Sequence, residues 1–181
     1  MATHVAFLRA INVGGHAVVK MADLREAFEA AGCKSVRTYI QSGNVVFDAP
    51  AKGDDALVKK IHARVSALVG VQASICFRTL EELEALIASD PFARYRDDPA
   101  AKLYVAFLAD KPKGASPFPA SLPKEALEAI AIKGRDVFVI SRPKPDGSYG
   151  FPNVSIEKAC GVPATTRNWT TITKVADLGR R

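Results

Sequence analysis

Three observations predict an α+β fold with antiparallel sheets, built from two related halves. The stretch Arg37-Thr-Tyr-Ile-Gln-Ser-Gly-Asn-Val-Val-Phe47 sets a Ser-Gly turn between two runs of β-branched and aromatic residues, which is a hairpin signal. A degraded copy, Ile130-Ala-Ile-Lys-Gly-Arg-Asp-Val-Phe-Val-Ile140, recurs in the second half with Gly134-Arg135 as a glycine-first turn and Ile132 facing Val137. Val5-Ala-Phe-Leu8 is repeated within Tyr104-Val-Ala-Phe-Leu108, so the chain reads as an internal duplication.

In the first hairpin a two-residue loop at Ser42-Gly43 makes Gln41 face Asn44, Ile40 face Val45, Tyr39 face Val46, Thr38 face Phe47 and Arg37 face Asp48. Directly opposed residues share a sheet face. Ile40, Val45, Thr38 and Phe47 therefore form a core face. Arg37, Tyr39, Gln41, Asn44, Val46 and Asp48 form the other, which is expected to open to water or ligand.

The remaining elements follow in order. Val5–Ile11 reads as a first strand, and Asn12-Val-Gly-Gly-His16 leads to a helix at Met21–Ala31 that carries Leu24, Ala27, Phe28 and Ala31 on one side and stops at Gly32. After the loop 49–53, Asp54 is expected to cap a helix in which Leu57, Ile61, Val65 and Leu68 recur at helical spacing. Ser74–Arg78 completes a β-α-β-β-α-β order, the split βαβ arrangement of a ferredoxin-like unit. Thr79-Leu-Glu-Glu82 has the capping-box spacing and opens a bridging helix that ends before Asp90-Pro91.

A strand at Leu103–Leu108, a Pro-rich connection, a short helix near Lys124–Glu128 and the second hairpin restart the same order. The segment 141–150 is a loop by its Pro and Gly content. Asn153 is expected to cap a helix ending at Gly161, and Thr165-Thr-Arg-Asn168 to introduce a last helix with Trp169, Ile172, Val175 and Ala176 inward. The expected domains are therefore a first ferredoxin-like subdomain at 1–78, a bridge at 79–102, and a second, degenerate ferredoxin-like subdomain at 103–181 that includes the C-terminal helices.

The 181 residues, 48% of them hydrophobic, suffice for a substantial core. Twenty-five basic against 19 acidic residues give a formal charge of +6, which suits an anionic partner but falls short of a dedicated nucleic-acid binder. Cys33, Cys76 and Cys160 lie far apart and form no Cys-x-x-Cys pair, so neither a disulfide framework nor a zinc site is predicted. With no signal-like leader and no apolar run long enough to span a bilayer, a cytoplasmic protein is expected.

Candidate chemistry begins at Arg9, which strand alternation puts on the face of Val5, Phe7 and Ile11. A guanidinium there requires a carboxylate, a route to solvent, or a bound anion. Gly14-Gly15 follows, where paired glycines let backbone N–H groups approach a phosphate or carboxylate, although the same residues also serve a plain turn. No Rossmann or P-loop fingerprint is present. Gln41-Ser-Gly-Asn44 offers turn chemistry or ligand hydrogen bonds. Tyr39 alone among the aromatics falls on the expected polar face, which disfavours an RNA-binding sheet. Thr165-Thr-Arg-Asn-Trp169 combines hydroxyls, a cation and an aromatic at a helix start. His4, His16 and His62 have no metal-ligand spacing, and Ser155-Ile-Glu-Lys158 matches S-x-x-K with no partner set in view. No cofactor or metal is expected.

Phe7-Leu-Arg-Ala-Ile-Asn-Val-Gly-Gly15, Met21-Ala-Asp-Leu24, Thr38-Tyr-Ile-Gln-Ser-Gly-Asn-Val-Val-Phe47 and Thr165-Thr-Arg-Asn-Trp169 together resemble the bacterial domain-of-unknown-function 1697 family. That resemblance spans nearly the whole chain and implies two ferredoxin-like halves, without assigning an activity. This chain departs from the family start in having Ala10 where glycine is usual, and His16 where a basic or polar residue is common. Carried over by position, the motifs give Arg9, Asn12, Gly14, Gly15, Gln41, Ser42, Asn44, Arg167 and Asn168 as candidate ligand-binding residues. The functional expectation is binding of an anionic ligand: a nucleotide, a phosphorylated metabolite or a nucleic-acid segment. The alternatives are a hydrolase or transferase acting on a phosphorylated substrate, and a nucleic-acid-binding protein.

Overall fold

A computed structural model describes residues 1–9, 11–12, 18–50, 55–114 and 120–181. They divide into two compact units, Met1–Ala85 with Thr173–Arg181, and Leu86–Ile172. Among the described residues the fold is α+β, with one antiparallel sheet of four strands, one of five, and five α-helices.

The first unit runs β1 (Ala2–Leu8), α1 (Met21–Ala31), β2 (Lys34–Tyr39), β3 (Asn44–Ala49), α2 (Asp55–Val69), β4 (Ile75–Thr79) and the start of α3 (Leu80–Ala88), with strand order β2-β3-β1-β4. Leu24 and Phe28 of α1 and Ile61 and Val65 of α2 recur at helical spacing and bury against Ala6, Leu8, Val45 and Phe47. Phe47 anchors this core, with ring centroids 5.3 Å from Phe28 and 6.4 Å from Phe77. Each fully buried side chain of this size is worth about 2 kcal/mol. Gly32 ends α1 in the left-handed region, its N–H donating to Glu29 O while Cys33 N–H donates to Phe28 O.

At the start of α3 the expected capping box is present. Thr79 N–H donates to Glu82 Oε2 at 2.8 Å, and Glu82 N–H donates to Thr79 Oγ1 at 3.0 Å. Thr79→Ala is expected to cost about 1 kcal/mol in urea denaturation, with Thr79→Ser restoring most of it; equal midpoints for all three proteins would contradict the capping role. The Asp54 cap expected for α2 lies outside the described residues.

The first hairpin corrects the expected register. Tyr39 pairs with Asn44, Thr38 with Val45 and Arg37 with Val46, so the loop is four residues long and the pairing is offset by two. An even offset keeps every side chain on its expected face, but Ile40 moves into the turn, with φ +49°, and is 52% exposed instead of joining the core. Polar chemistry decides this: Asn44 Nδ2 donates to Tyr39 O and to Ser42 Oγ, both at 3.0 Å, and closes the wider loop. The face expected to be open is buried in its β3 part, while Arg37, Tyr39 and Asp48 are half-buried and Gln41 is exposed. Asn44 and Val46 are at 0% exposure, as are Val5 and Phe7, which β1 sets opposite them on a face that looks polar in the hairpin alone. β1 also ends at Leu8, leaving Arg9 just past the strand rather than within it.

The second unit holds β5 (Lys102–Leu108), β6 (Ala120–Leu122), β7 (Leu127–Lys133), β8 (Asp136–Ser141), α4 (Asn153–Cys160), β9 (Ala164–Asn168) and the start of α5 (Trp169–Gly179), with strand order β6-β7-β8-β5-β9. The Gly134-Arg135 hairpin forms in the expected register, Ile132 with Val137. Ile156 and Cys160 of α4 pack on Ala106, Leu108, Val137 and Val139.

Three local expectations are corrected here. Lys124–Glu128 is a 3-10 turn at Pro123–Glu125 followed directly by β7, since Ala126 takes φ +53° and breaks the helical run. Thr165–Asn168 is strand β9, with Thr165 and Thr166 buried, and only Asn168 caps α5, accepting from Thr171 N–H at 2.7 Å. Asn153 does not cap α4; its Oδ1 accepts from Thr166 Oγ1 at 3.0 Å and ties α4 to β9.

The bonds around the central strands recur between units. Leu8 N–H donates to Gly43 O and Leu108 N–H to Arg135 O, each at 2.8 Å; Arg9 N–H donates to Ser74 O and Ala109 N–H to Pro163 O, each at 2.9 Å. Val5 pairs with Arg78 and Val105 with Arg167. Both arginines turn Nη1 back to the preceding carbonyl, at 2.7 Å to Phe77 O and 2.9 Å to Thr166 O.

Cys33, Cys76 and Cys160 are buried. Burial pushes the Cys33 thiol up from 9.0 to about 11. Below pH 9 both folded and unfolded thiols are protonated and the effect on stability is nil. Between pH 9 and about 11 only the unfolded thiol ionises, so stability falls through that window by roughly 2 kcal/mol. Denaturation at pH 8 and pH 10.5 should therefore show a steeper loss in wild type than in Cys33→Ala; parallel losses would refute it.

Candidate functional site

At the end of β1 the chain forms a small cavity of about 190 Å³, lined by Leu8, Arg9, Ile11, Val69, Val71, Gln72, Ala73 and Ser74. The Arg9–Ser74 backbone bond carries the β1–β4 pairing one step beyond the strands and sets the arginine beside the serine. The opposite wall, 70–74, is held to α2. Gly70 N–H donates to Ser66 O at 3.0 Å, Ala73 N–H donates to Ser66 Oγ at 2.9 Å, and His62 Nδ1 lies 3.2 Å from Ala73 O. Arg9 is half-buried on an apolar floor, and the described lining residues include no carboxylate. Such a hollow suits one compact anion: a guanidinium supplies charge, while Ser74 and Gln72 supply neutral hydrogen-bonding groups.

The predicted residues separate into those at this end of the first sheet and those elsewhere. Asn12, with φ +55°, spends its whole amide on closing the loop that follows β1. Its Nδ2 donates to Val19 O at 2.9 Å and to Gln41 O at 2.8 Å, and its Oδ1 accepts from Val19 N–H at 2.7 Å. The ends of that loop are thereby tied to each other and to the hairpin tip. Gly14 and Gly15, with His16 and Ala10, lie outside the described residues.

Gln41 reaches Asn12 through its carbonyl and keeps its side chain exposed, whereas Ser42 and Asn44 are engaged within the turn. Arg9, Asn12 and the Gln41–Asn44 turn thus share one end of the first unit. Arg167 and Asn168 belong to the second unit, at the β9–α5 junction.

Gln72 and Ser74 were not among the predicted residues. The signal for Ser74 existed: in a split βαβ order the first and last strands are neighbours, so the residue just before β4 must approach the residue just after β1. Among the described residues no group of three His, Cys, Asp or Glu side chains could hold a metal ion, and no helix is long and apolar enough to cross a membrane.

The profile of the family described as "Protein of unknown function (DUF1697)" matches residues 1–138. The chain belongs to the DUF1697 family. The matched span covers the first unit's sheet, the Arg9 cavity, strands β5, β6 and β7 of the second sheet and the start of β8. Over its whole length this DUF1697 chain is similar in fold to the conserved bacterial protein SP0830 from Streptococcus pneumoniae, with a TM-score of 0.70 and 23% identity, covering 100% of this chain and 99% of that one. At that identity the likeness concerns the fold alone. No curated protein matches the chain.

Proposed function

We propose that the chain binds a small phosphate-bearing anion, such as a nucleotide or a phosphorylated metabolite, in the Arg9 cavity. The observation that carries this reading is a half-buried arginine that lines a hollow beside Ser74 and Gln72. Arg9 neutralises the ligand, and Ser74 and Gln72 orient it. The cavity is sized for one phosphate group and its substituent rather than for a polynucleotide track. Among the described residues its lining has no His, Cys, Asp, Glu or Lys to act as a general acid or base, which favours binding over hydrolysis or transfer.

Internal duplication is part of the same proposal, with ferredoxin-like halves at 1–78 and 103–181 joined by 79–102. The recurring bonds at Leu8 and Leu108, at Arg9 and Ala109, and at Arg78 and Arg167 support it. In this reading Arg167 is the counterpart of Arg78 and, with Asn168, shapes the β9–α5 junction. The counterparts of Arg9 and Ser74 are Ala109 and Pro163, so the phosphate site has no copy at the equivalent place in the second unit.

Thermal shift with ATP, GTP, AMP, pyrophosphate and glucose 6-phosphate tests the proposal. A ligand at a hundred times its Kd adds about 2.7 kcal/mol, a shift of several degrees. Wild type should show that shift with at least one of these compounds, and Arg9→Gln should abolish it while keeping the unliganded Tm. No stabilisation of wild type, or equal stabilisation of Arg9→Gln, would remove the proposal. A short oligonucleotide that binds with a steep salt slope and ignores Arg9 would point to the nucleic-acid alternative instead.

A further inference from the structure

A second hollow, of about 620 Å³, lies within the second unit between the 3-10 turn Pro123–Glu125 and α4. Its volume is that of a small-molecule site. Leu122, Pro123 and Ala159 give it an apolar body, and Lys124 approaches from the turn while Ser155 and Lys158 approach from the helix. Ser155 and Lys158 stand three residues apart and so share a helix face, which gives the otherwise unexplained Ser-x-x-Lys spacing a geometric meaning. Glu125, the carboxylate on the lining, is engaged by Lys144 at 3.6 Å. Lys124 and Lys158 have no ion pair among the described residues, so the charge left over is positive.

The walls are built before any ligand arrives. Ala126 N–H donates to Pro123 O at 3.1 Å, Arg142 N–H donates to Ala126 O at 2.9 Å, and the backbone of Gly150 lies directly against the Glu125 carbonyl. On the other side Ile156 and Cys160 are fully buried and fix α4 to the sheet. A preformed apolar slot keeps the ordering cost of binding low.

We infer that this hollow binds an amphipathic monocarboxylate: an unbranched acyl chain lying along Leu122, Pro123 and Ala159, with its carboxylate held by Lys124, Lys158 and the Ser155 hydroxyl. Two ammonium groups on opposing walls select an anionic head, and the apolar strip between them selects a hydrocarbon body. The site lies in a different unit from the Arg9 cavity and stands independently of it.

Decanoate, titrated below its micelle threshold into the full chain by isothermal calorimetry, is the probe. Wild type should bind it saturably at one site, and Lys124→Gln/Lys158→Gln should weaken binding by about tenfold or more, the scale of a lost charge-assisted hydrogen bond. Decanol should bind at least about tenfold more weakly than decanoate. Arg9→Gln should bind decanoate as wild type does. The inference is overturned if decanoate does not saturate, if the double lysine variant binds unchanged, if decanol equals decanoate, or if Arg9→Gln abolishes the binding.

Discussion

Gly150→Ala is expected to cost about 4 kcal/mol of stability, combining overpacking with a stranded buried polar group. The added methyl would stand 2.0 Å from the backbone oxygen of Glu125 and 3.1 Å from its carbonyl carbon. A Cβ has no rotamer with which to escape, and the obstacle is main chain on both sides. Glu125 closes the 3-10 turn, and Arg142 N–H donating to Ala126 O at 2.9 Å holds that turn to the end of β8.

Gly150 is restrained as well, since its carbonyl accepts from the fully buried Ser141 hydroxyl at 2.8 Å. Whichever segment yields, a bond in this set is broken, and the loss takes a large share of a margin of about 5–15 kcal/mol. Urea denaturation followed by the fluorescence of Trp169, the chain's only tryptophan, reads the second unit directly. A midpoint change equivalent to under about 1 kcal/mol would show the contact to be relieved cheaply and defeat the expectation. Because Glu125 also walls the 620 Å³ hollow, partial survivors should bind decanoate more weakly.

The sequence was a good guide wherever one local rule acted without a competitor. The Thr79–Glu82 box, the stop at Gly32 and the Gly134-Arg135 register each follow from a few neighbouring residues, and each is present. The first hairpin differs because two rules compete. Apolar pairing favours Ile40 opposite Val45, whereas the Asn44 amide can satisfy Tyr39 O and Ser42 Oγ only in a four-residue loop, and the amide prevails. Thr165 and Thr166 misled for a related reason. Threonine suits both a helix cap and a strand, and only the pairing of Phe107 with Thr165 and of Ala106 with Thr166 decides between them.

At the candidate site the same divide holds. Arg9 stood out because a guanidinium among apolar strand residues demands an explanation. Gln72 and Ser74 reach it through a backbone pairing that no local pattern encodes. The burial of Asn44 was equally hidden, since the hairpin alone puts it on a polar face and only the pairing with β1 sets Phe7 opposite it.

Gly43→Ala should also destabilise strongly, by about 3 kcal/mol, and it separates scaffold from site. Gly43 sits at φ +77°, where an L side chain costs about 1–2 kcal/mol. Its Cβ would meet Ile11 Cδ1 at 2.6 Å, Leu8 Cβ at 2.8 Å and Ile11 Cγ1 at 2.9 Å. Ile11 can swing its terminal methyl, but Leu8 Cβ is fixed to a central strand. The hairpin tip must then lift, stretching the 2.8 Å bond from Leu8 N–H to Gly43 O and the 2.8 Å bond from Asn12 Nδ2 to Gln41 O. Leu8 and Ile11 line the Arg9 cavity, so this variant should lose stability and phosphate-ligand binding together. Arg9→Gln should lose binding alone, because it removes the guanidinium and leaves the backbone bond to Ser74 O in place. If Gly43→Ala keeps full ligand affinity after correction for its lower Tm, the cavity does not depend on the hairpin tip and the site must be sought elsewhere. If Arg9→Gln unfolds the protein as badly as Gly43→Ala does, the arginine is a structural ion and not a ligand contact.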